Sequence, residues 1–118
     1  MVEKNSFDFY LEKVQGMIKE VQGKERENIF KAAEMIATSL AKGGIIHVFG
    51  SSHSLLLAKE IFYRAGGLVP IDLISDPPLT VEEATNSTWF ERQEGYAKLI
   101  LNKYQTVPGE VILIISTS

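Results

Sequence analysis

Two short segments of this sequence, residues 50–54 and residues 116–118, are rich in hydroxyl groups. The first segment holds three serines and a histidine, and the second holds two serines and a threonine. Hydroxyl groups and backbone amides donate hydrogen bonds, whereas a fully charged phosphate group only accepts them. Each segment could therefore bind a phosphate without a lysine or an arginine. The residues predicted to do so are Gly50, Ser51, Ser52, Ser54, Ser116, Thr117 and Ser118.

The first segment has the form of a turn between a strand and a helix. Gly50 lets the backbone turn tightly and come close to a ligand. The residues after it begin a predicted helix, whose unpaired amides and positive dipole end attract anions. The alternative is that the serines only cap this helix and fill the turn. The second hydroxyl-rich segment favours anion binding.

Proton transfer at a bound ligand would need an acid or a base near it. His53 lies within the first segment, although a histidine in a loop more often makes only a polar contact. Glu60 comes two turns into the predicted helix and either points to the site or pairs with Arg64 four residues on. Glu83 has the spacing of a capping box with Thr80.

Two more carboxylates fall close together along the chain. Glu91 has capping-box spacing with Thr88, which gives it a structural explanation, whereas Glu94 has none. His47 lies inside a predicted strand, and we expect it to be structural. The candidate catalytic residues are therefore His53, Glu60, Glu83 and Glu94.

Composition excludes several classes of function. The chain has 118 residues, of which 45% are hydrophobic, and its formal charge of −3 gives no basic field for nucleic acid. It has no cysteine, which rules out disulfides, thiolate metal sites and thiol catalysis. No apolar run is long enough to span a bilayer, and no signal peptide is recognisable. We expect a cytoplasmic protein with no nucleic-acid or membrane partner.

Sequence motifs for nucleotide cofactors are also missing. The chain has no Gly-x-x-x-x-Gly-Lys segment, and residues 50–54 do not match the Gly-x-Gly-x-x-Gly fingerprint. ATP and NAD are therefore disfavoured. We expect no cofactor, and no metal site is assigned.

The order of predicted elements indicates one α/β domain. Apolar periodicity and short β-branched runs predict helices at 5–22, 24–42, 55–65 and 88–104, and strands at 45–49, 69–74 and 111–115. Strands that alternate with helices form a doubly wound parallel sheet. In the flavodoxin-like order, the first and third strands are neighbours. Both hydroxyl-rich segments would then lie at the same crevice.

Residues 27–68 resemble the SIS (sugar isomerase) domain family, through the run Gly50, Ser51, Ser52, His53, Ser54 and the run Phe62, Tyr63, Arg64, Ala65, Gly66, Gly67. The resemblance continues through residues 91–97 and 108–118. It is strongest to small bacterial SIS proteins described as phosphosugar-binding proteins or phosphoheptose isomerases.

The resemblance implies a three-layer α/β/α domain with a five-stranded parallel sheet. It also implies that a sugar phosphate binds to the serine loop and to a second loop, which Ser116 and Ser118 match. The chain stops within that second loop, so we expect a domain that is truncated after its third strand. The implied activity is that of a sugar-phosphate isomerase or a sugar-phosphate etherase.

The reaction stays open, because the catalytic residues of the family are not clearly present. Where phosphoheptose isomerases carry a histidine and a glutamate for metal binding and proton transfer, this chain has Glu60 and Arg64. Glu83 and Glu94 correspond only loosely to the carboxylates of N-acetylmuramic acid 6-phosphate etherases. The alternatives are a non-catalytic sugar-phosphate sensor, or a half domain whose apolar faces another copy covers.

Residues 1–43 are predicted to form an N-terminal helical pair that belongs to the same domain as the half SIS domain in residues 44–118. This pair lies outside the alternation of strands and helices and carries an apolar stripe. We expect it to form a homodimer or a higher homo-oligomer. The alternative is that both helices cover their own sheet.

Overall fold

The computed structural model describes residues 5–117, which form two compact units that meet in the chain at Met35. The first unit contains helix α1 (Ser6–Lys24) and the beginning of helix α2 (Arg26–Ala41). Both helices were predicted, and their ends agree with the sequence to within two residues. No residue of α1 is buried.

Local hydrogen bonds fix the start of α1 and its junction with α2. The side chain of Asn5 caps α1 by accepting a bond from the amide of Asp8 at 2.9 Å. At Glu25, between the helices, the amide donates to the carbonyl of Val21 and the carbonyl accepts from the amide of Ile29, both at 2.9 Å. The helical hydrogen-bond ladder therefore runs through Glu25 with little interruption.

The second unit is built on a parallel sheet of three strands, β1 (Ile46–Gly50), β2 (Ile71–Ile74) and β3 (Val111–Ile115). The strand order is β2-β1-β3, with β1 in the centre. This order confirms the predicted α/β fold and the prediction that the first and third strands are adjacent. The resemblance implied five strands, and the described residues contain three.

The register of the sheet brings the ends of the strands together at one edge. Phe49 of β1 lies beside Ile74 of β2 and Ile114 of β3, and Gly50 lies beside Ile115. Because all three strands run in the same direction, the segments that follow them emerge at the same edge. The serine segment and residues 116–117 are thereby placed next to each other.

Three helices complete the second unit: α3 (His53–Ile61), α4 (Ala84–Glu91) and α5 (Tyr96–Leu101). Two short 3₁₀ turns, Pro77–Leu79 and Val81–Glu83, lie between β2 and α4. Helix α3 begins two residues before its predicted start and ends at Ile61, four residues early.

The prediction of one helix over residues 88–104 was wrong. Helices α4 and α5 are separated at Gly95, whose φ of +78° is a left-handed conformation that ends a regular helix. Thr88 lies inside α4, which starts four residues earlier, so the predicted capping box of Thr88 and Glu91 does not exist. Thr80 precedes a 3₁₀ turn and forms no side-chain cap either.

The core lies on both faces of β1. On one face, Ile46 and Val48 pack with Leu55 and Ala58 of α3, all of them at most 2% exposed. On the other face, Phe49 packs with a second buried cluster that includes Ile74, Leu79 and Ile100. Helices thus lie on both faces of the sheet, as in a three-layer domain, although Ile112 and Ile114 of β3 are 39% and 67% exposed.

Candidate functional site

Gly50 allows the chain to leave β1 directly beneath the first turn of α3. A Cβ atom at this position would lie 2.5 Å from the carbonyl oxygen of Ser54 and 2.8 Å from the amide nitrogen of Leu55. Real Cβ atoms do not approach backbone so closely, and only glycine fits here. The glycine therefore sets how near the serine loop, residues 50–54, stays to the sheet.

Ser52 occupies the residue before α3 in an unusual backbone conformation, with φ 49° and ψ −120°. Its amide donates to the carbonyl of Leu79 at 2.8 Å, and its hydroxyl donates to the hydroxyl of Ser87 at 3.1 Å. The Ser52 side chain makes no capping bond to α3. The alternative that Ser52 serves as a side-chain cap of α3 is therefore not supported.

The serine loop and the end of β3 line one open cavity of about 380 Å³. Within it, the hydroxyls of Ser54 and Thr117 are 3.5 Å apart, although the residues are 63 positions apart in sequence. The residues that line the cavity are Phe49, Ser51, Ser52, His53, Ser54, Glu91, Ile114, Ile115, Ser116 and Thr117. The structure thus brings the predicted hydroxyl groups together, apart from that of Ser118, which lies outside the described residues.

Glu91 belongs to this cavity, which sequence reasoning missed. It is the last residue of α4, and its carboxylate accepts a hydrogen bond from the hydroxyl of Ser51. One helical turn earlier, Ser87 contacts Ser52. A serine and a glutamate four residues apart share a helix face, so Ser87 and Glu91 both meet the serine loop, and no local pattern in the sequence marks this contact.

The structure places the four proposed catalytic residues in different locations. His53 is exposed and lines the cavity. Glu60 forms an exposed ion pair with Arg64, which was the alternative considered for it. Glu83 and Glu94 are exposed, and neither lines the cavity. A catalytic role for these residues stays a prediction, and among them only His53 lies at the cavity.

A buried carboxylate fixes the segment after β2. Asp76 is 2% exposed and accepts hydrogen bonds from the phenol of Tyr96 and the ammonium of Lys103. Burial raises the pKa of Asp76, but the bonds from Lys103 and Tyr96 outweigh it and hold the pKa below its ordinary value. The bond to Asp76 raises the pKa of Tyr96 to about 12.

The neighbouring Ser75 is held in the same way. Its amide donates to the phenol oxygen of Tyr104 at 2.8 Å, and its carbonyl accepts from that phenol at 2.6 Å. The segment after β2 is therefore tied to the region of α5. Since the carbonyl of Leu79 accepts from Ser52, this segment also supports the serine loop.

His47 lies near the opposite edge of the sheet and is structural, as expected from its place in a strand. It is 1% exposed, with Nδ1 at 2.9 Å from Asp72 Oδ2 and Nε2 at 2.9 Å from Glu110 Oε2. Burial alone lowers the pKa of His47, but hydrogen bonds to both carboxylates and their charges outweigh it and raise the pKa above its ordinary value of 6.5.

No group of three or more histidine, aspartate or glutamate side chains within residues 5–117 has an arrangement that could hold a metal ion. No helix in the same range is long and apolar enough to cross a lipid bilayer.

The family of this chain follows from its match to a protein-family model. A family model described as the SIS domain matches residues 9–118. The chain belongs to the SIS domain family. Because this match spans the serine loop and the end of β3, the cavity of this SIS domain lies within the shared region.

Curated relatives of the SIS domain chain are UPF0309 proteins from bacteria. One from Halalkalibacterium halodurans is 43% identical over 110 residues, which are 92% of this chain and 44% of the relative. Another, from Caldanaerobacter subterraneus, is 39% identical over 113 residues, or 94% of this chain and 46% of the relative. The chain thus spans about half the length of the curated relatives it matches.

Proposed function

We propose that this SIS domain binds a phosphorylated sugar in the cavity between the serine loop and the end of β3. The observation that carries the proposal is the convergence of Ser54 and Thr117, whose hydroxyls are 3.5 Å apart at the entrance to α3. Hydroxyls and the positive end of a helix are suited to a phosphate group.

The charges around the cavity support a local phosphate site over a general anion-binding surface. No lysine or arginine is among the described residues that line it. The formal charge of the whole chain is −3, so long-range attraction does not gather anions. A phosphate would be held by short, directed hydrogen bonds, which favours a specific ligand over polyanions.

The reaction is a second question. Isomerisation of a sugar phosphate and elimination of an ether from it both require proton transfer beside the bound sugar. His53 and Glu91 are the titratable side chains of the described cavity lining. We propose an isomerase-type or etherase-type activity at this position. The alternative is a sensor that binds the same ligand and changes it in no way.

A thermal-shift screen tests binding. A panel of hexose and heptose monophosphates is added to the wild-type chain, and a specific ligand should raise the melting temperature because it binds only the folded state. The variant Ser54→Ala should lose the shift, whereas Ser6→Ala, an exposed serine on α1, should keep it. If no sugar phosphate shifts the wild type, the proposed function is wrong.

Proton NMR of the same mixtures separates catalysis from sensing. New sugar resonances that appear only with protein would establish turnover. A ligand that shifts the melting temperature yet stays chemically unchanged would establish the sensor. Because the chain has no cysteine and suits a reducing compartment, we propose that it acts in the cytoplasm.

We also propose that the chain forms a homo-oligomer through its N-terminal helices. Apolar residues recur on α1 every three or four positions, at Phe7, Leu11, Val14, Ile18 and Val21. Four of them are largely exposed: Phe7 (67%), Leu11 (40%), Ile18 (62%) and Val21 (49%). An exposed apolar stripe of this kind is typical of a helix that packs on another helix. Ile18→Glu should lower the mass measured by light scattering, and Lys19→Glu on the same helix should not.

A further inference from the structure

The serine loop divides the cavity into two ends with different chemistry. Ser54 faces Thr117 at the end of β3, where the nearby groups are hydroxyls and the first turn of α3. Ser51, at the other end of the run of serines, donates its hydroxyl to the carboxylate of Glu91 on α4. One end therefore offers donors, and the other presents an acceptor with a negative charge.

Glu91 cannot help to hold a phosphate. It is the one carboxylate among the described residues that line the cavity, and no lysine or arginine in that lining neutralises it. The Glu91 side chain is exposed, so water screens its charge in part, but two negative groups at contact distance still repel each other. A bound phosphate will therefore stay at the Ser54 end, away from Glu91.

We propose, on the basis of the proposed phosphosugar binding, that Glu91 is the specificity-determining residue of this cavity. With the phosphate at the Ser54 end, the Glu91 carboxylate accepts a hydrogen bond from a hydroxyl group of the sugar. The ligand class is a sugar monophosphate with free hydroxyl groups. Sugar bisphosphates are rejected, because their second phosphate would face the carboxylate.

The hydrogen bond from Ser51 gives Glu91 a defined position for this role. The hydroxyl of Ser51 holds one carboxylate oxygen, and the second oxygen remains an acceptor for the ligand. A carboxylate accepts hydrogen bonds from neutral hydroxyls more strongly than an amide oxygen does. Replacement of Glu91 by glutamine therefore keeps the shape of the side chain and removes its discrimination.

A merely structural role for Glu91 makes a different prediction. If the bond to Ser51 served only to hold the serine loop on α4, its loss would weaken all phosphate ligands to a similar extent. Discrimination between monophosphates and bisphosphates would then be unchanged. The ratio of the two affinities is thus a readout that loop stability alone does not move.

The test is calorimetric titration of the wild type, Glu91→Gln and Glu91→Ala. The probes are hexose and heptose monophosphates and the bisphosphates of the same sugars, with glucose 6-phosphate and glucose 1,6-bisphosphate as one pair. The wild type should bind the best monophosphate at least about tenfold more tightly than its bisphosphate. Both variants should reduce that ratio to about threefold or less, and Glu34→Gln on α2 should keep the wild-type ratio.

Each outcome decides one of the proposals. Equal affinity of the wild type for both members of a pair overturns the role of Glu91, with no need for a folded variant. A wild-type ratio retained in Glu91→Gln overturns it as well. If the wild type binds no sugar phosphate of any kind, the proposed function itself is wrong, which is a distinct result.

Discussion

Nε2 of His47 lies 2.9 Å from Oε2 of Glu110, across 63 residues of sequence, and joins the central strand β1 to the segment that leads into β3. The carboxylate of Glu110 also accepts hydrogen bonds from the amide of Val107 at 2.8 Å and the amide of Ile45 at 3.1 Å. One glutamate thus fixes the approach of both strands at this edge of the sheet.

This arrangement predicts a pH-dependent stability. The pKa of His47 is raised above 6.5 in the folded state, so its stabilisation is fully present below pH 6.5 and is lost as the pH rises through the folded pKa. The bond to His47 is the main reason that the pKa of Glu110 is lowered below 4.5, and that stabilisation is lost as the pH falls through the folded value. Maximum stability should lie between these two transitions.

Urea denaturation across this pH range measures the effect. His47→Gln should remove the loss of stability on the alkaline side, while His53→Gln, which changes an exposed histidine, should leave it intact. The same alkaline slope in both variants would contradict the assignment to His47.

The backbone conformation of Ser52 predicts that glycine is tolerated better than alanine at this position. Its φ of 49° and ψ of −120° fall in a region that glycine adopts readily and that is strained for other residues. Ser52→Gly should therefore be more stable than Ser52→Ala by about 1 kcal/mol, although both lack the hydroxyl. Chemical denaturation compares the two variants, and a less stable glycine variant would argue against strain at this position.

An added methyl group at Gly50 should destabilise the fold. In Gly50→Ala, the Cβ would meet the backbone of Ser54 at 2.5 Å, so α3 must move, at a cost of about 1–3 kcal/mol in the free energy of unfolding. Gly16→Ala is the matched control, because nothing lies within 4 Å of a Cβ at that position in α1. It should stabilise the helix by about 0.5–1 kcal/mol. Equal effects of the two substitutions would contradict the close approach.

Tyr96→Phe tests the support of Asp76. The ring would keep its contact with Phe90, at 5.4 Å between ring centroids, while the buried carboxylate would lose one of its two donors. The free energy of unfolding should fall by about 1–3 kcal/mol, because a buried acceptor that loses its donor destabilises the folded state. Tyr10→Phe, on the exposed surface of α1, should have no measurable effect on unfolding.

The same bond predicts the titration of Tyr96. In the wild type, Tyr96 should ionise only near pH 12, and the absorbance of tyrosinate measures this ionisation.

The strands were predictable because their signals are local. Five aliphatic residues in succession define β3, and the glycine that follows the apolar run at β1 marks the start of the serine loop. Their parallel order then places residues 50–54 beside residues 116–117, which the structure confirms. Alternating strands and helices have few possible arrangements, so the topology follows from the order of elements.

The part that sequence missed depends on contacts between distant residues. Thr88 and Glu91 have the spacing of a capping box, but the same spacing also occurs inside any helix, and here α4 starts at Ala84. The actual partner of Glu91 is Ser51, 40 residues away. No local pattern distinguishes a glutamate that caps its own helix from one that reaches a loop of the sheet.

The central place of β1 affects how the chain emerges from the ribosome. Ile46 pairs with Val111, so the middle strand is made long before its second neighbour. At about 5–20 residues per second, the intervening stretch of about 65 residues takes roughly 3–13 s to synthesise. Until residues 111–115 have been made, the edge of β1 that β3 covers has no partner strand, and we expect nascent chains to expose this apolar edge.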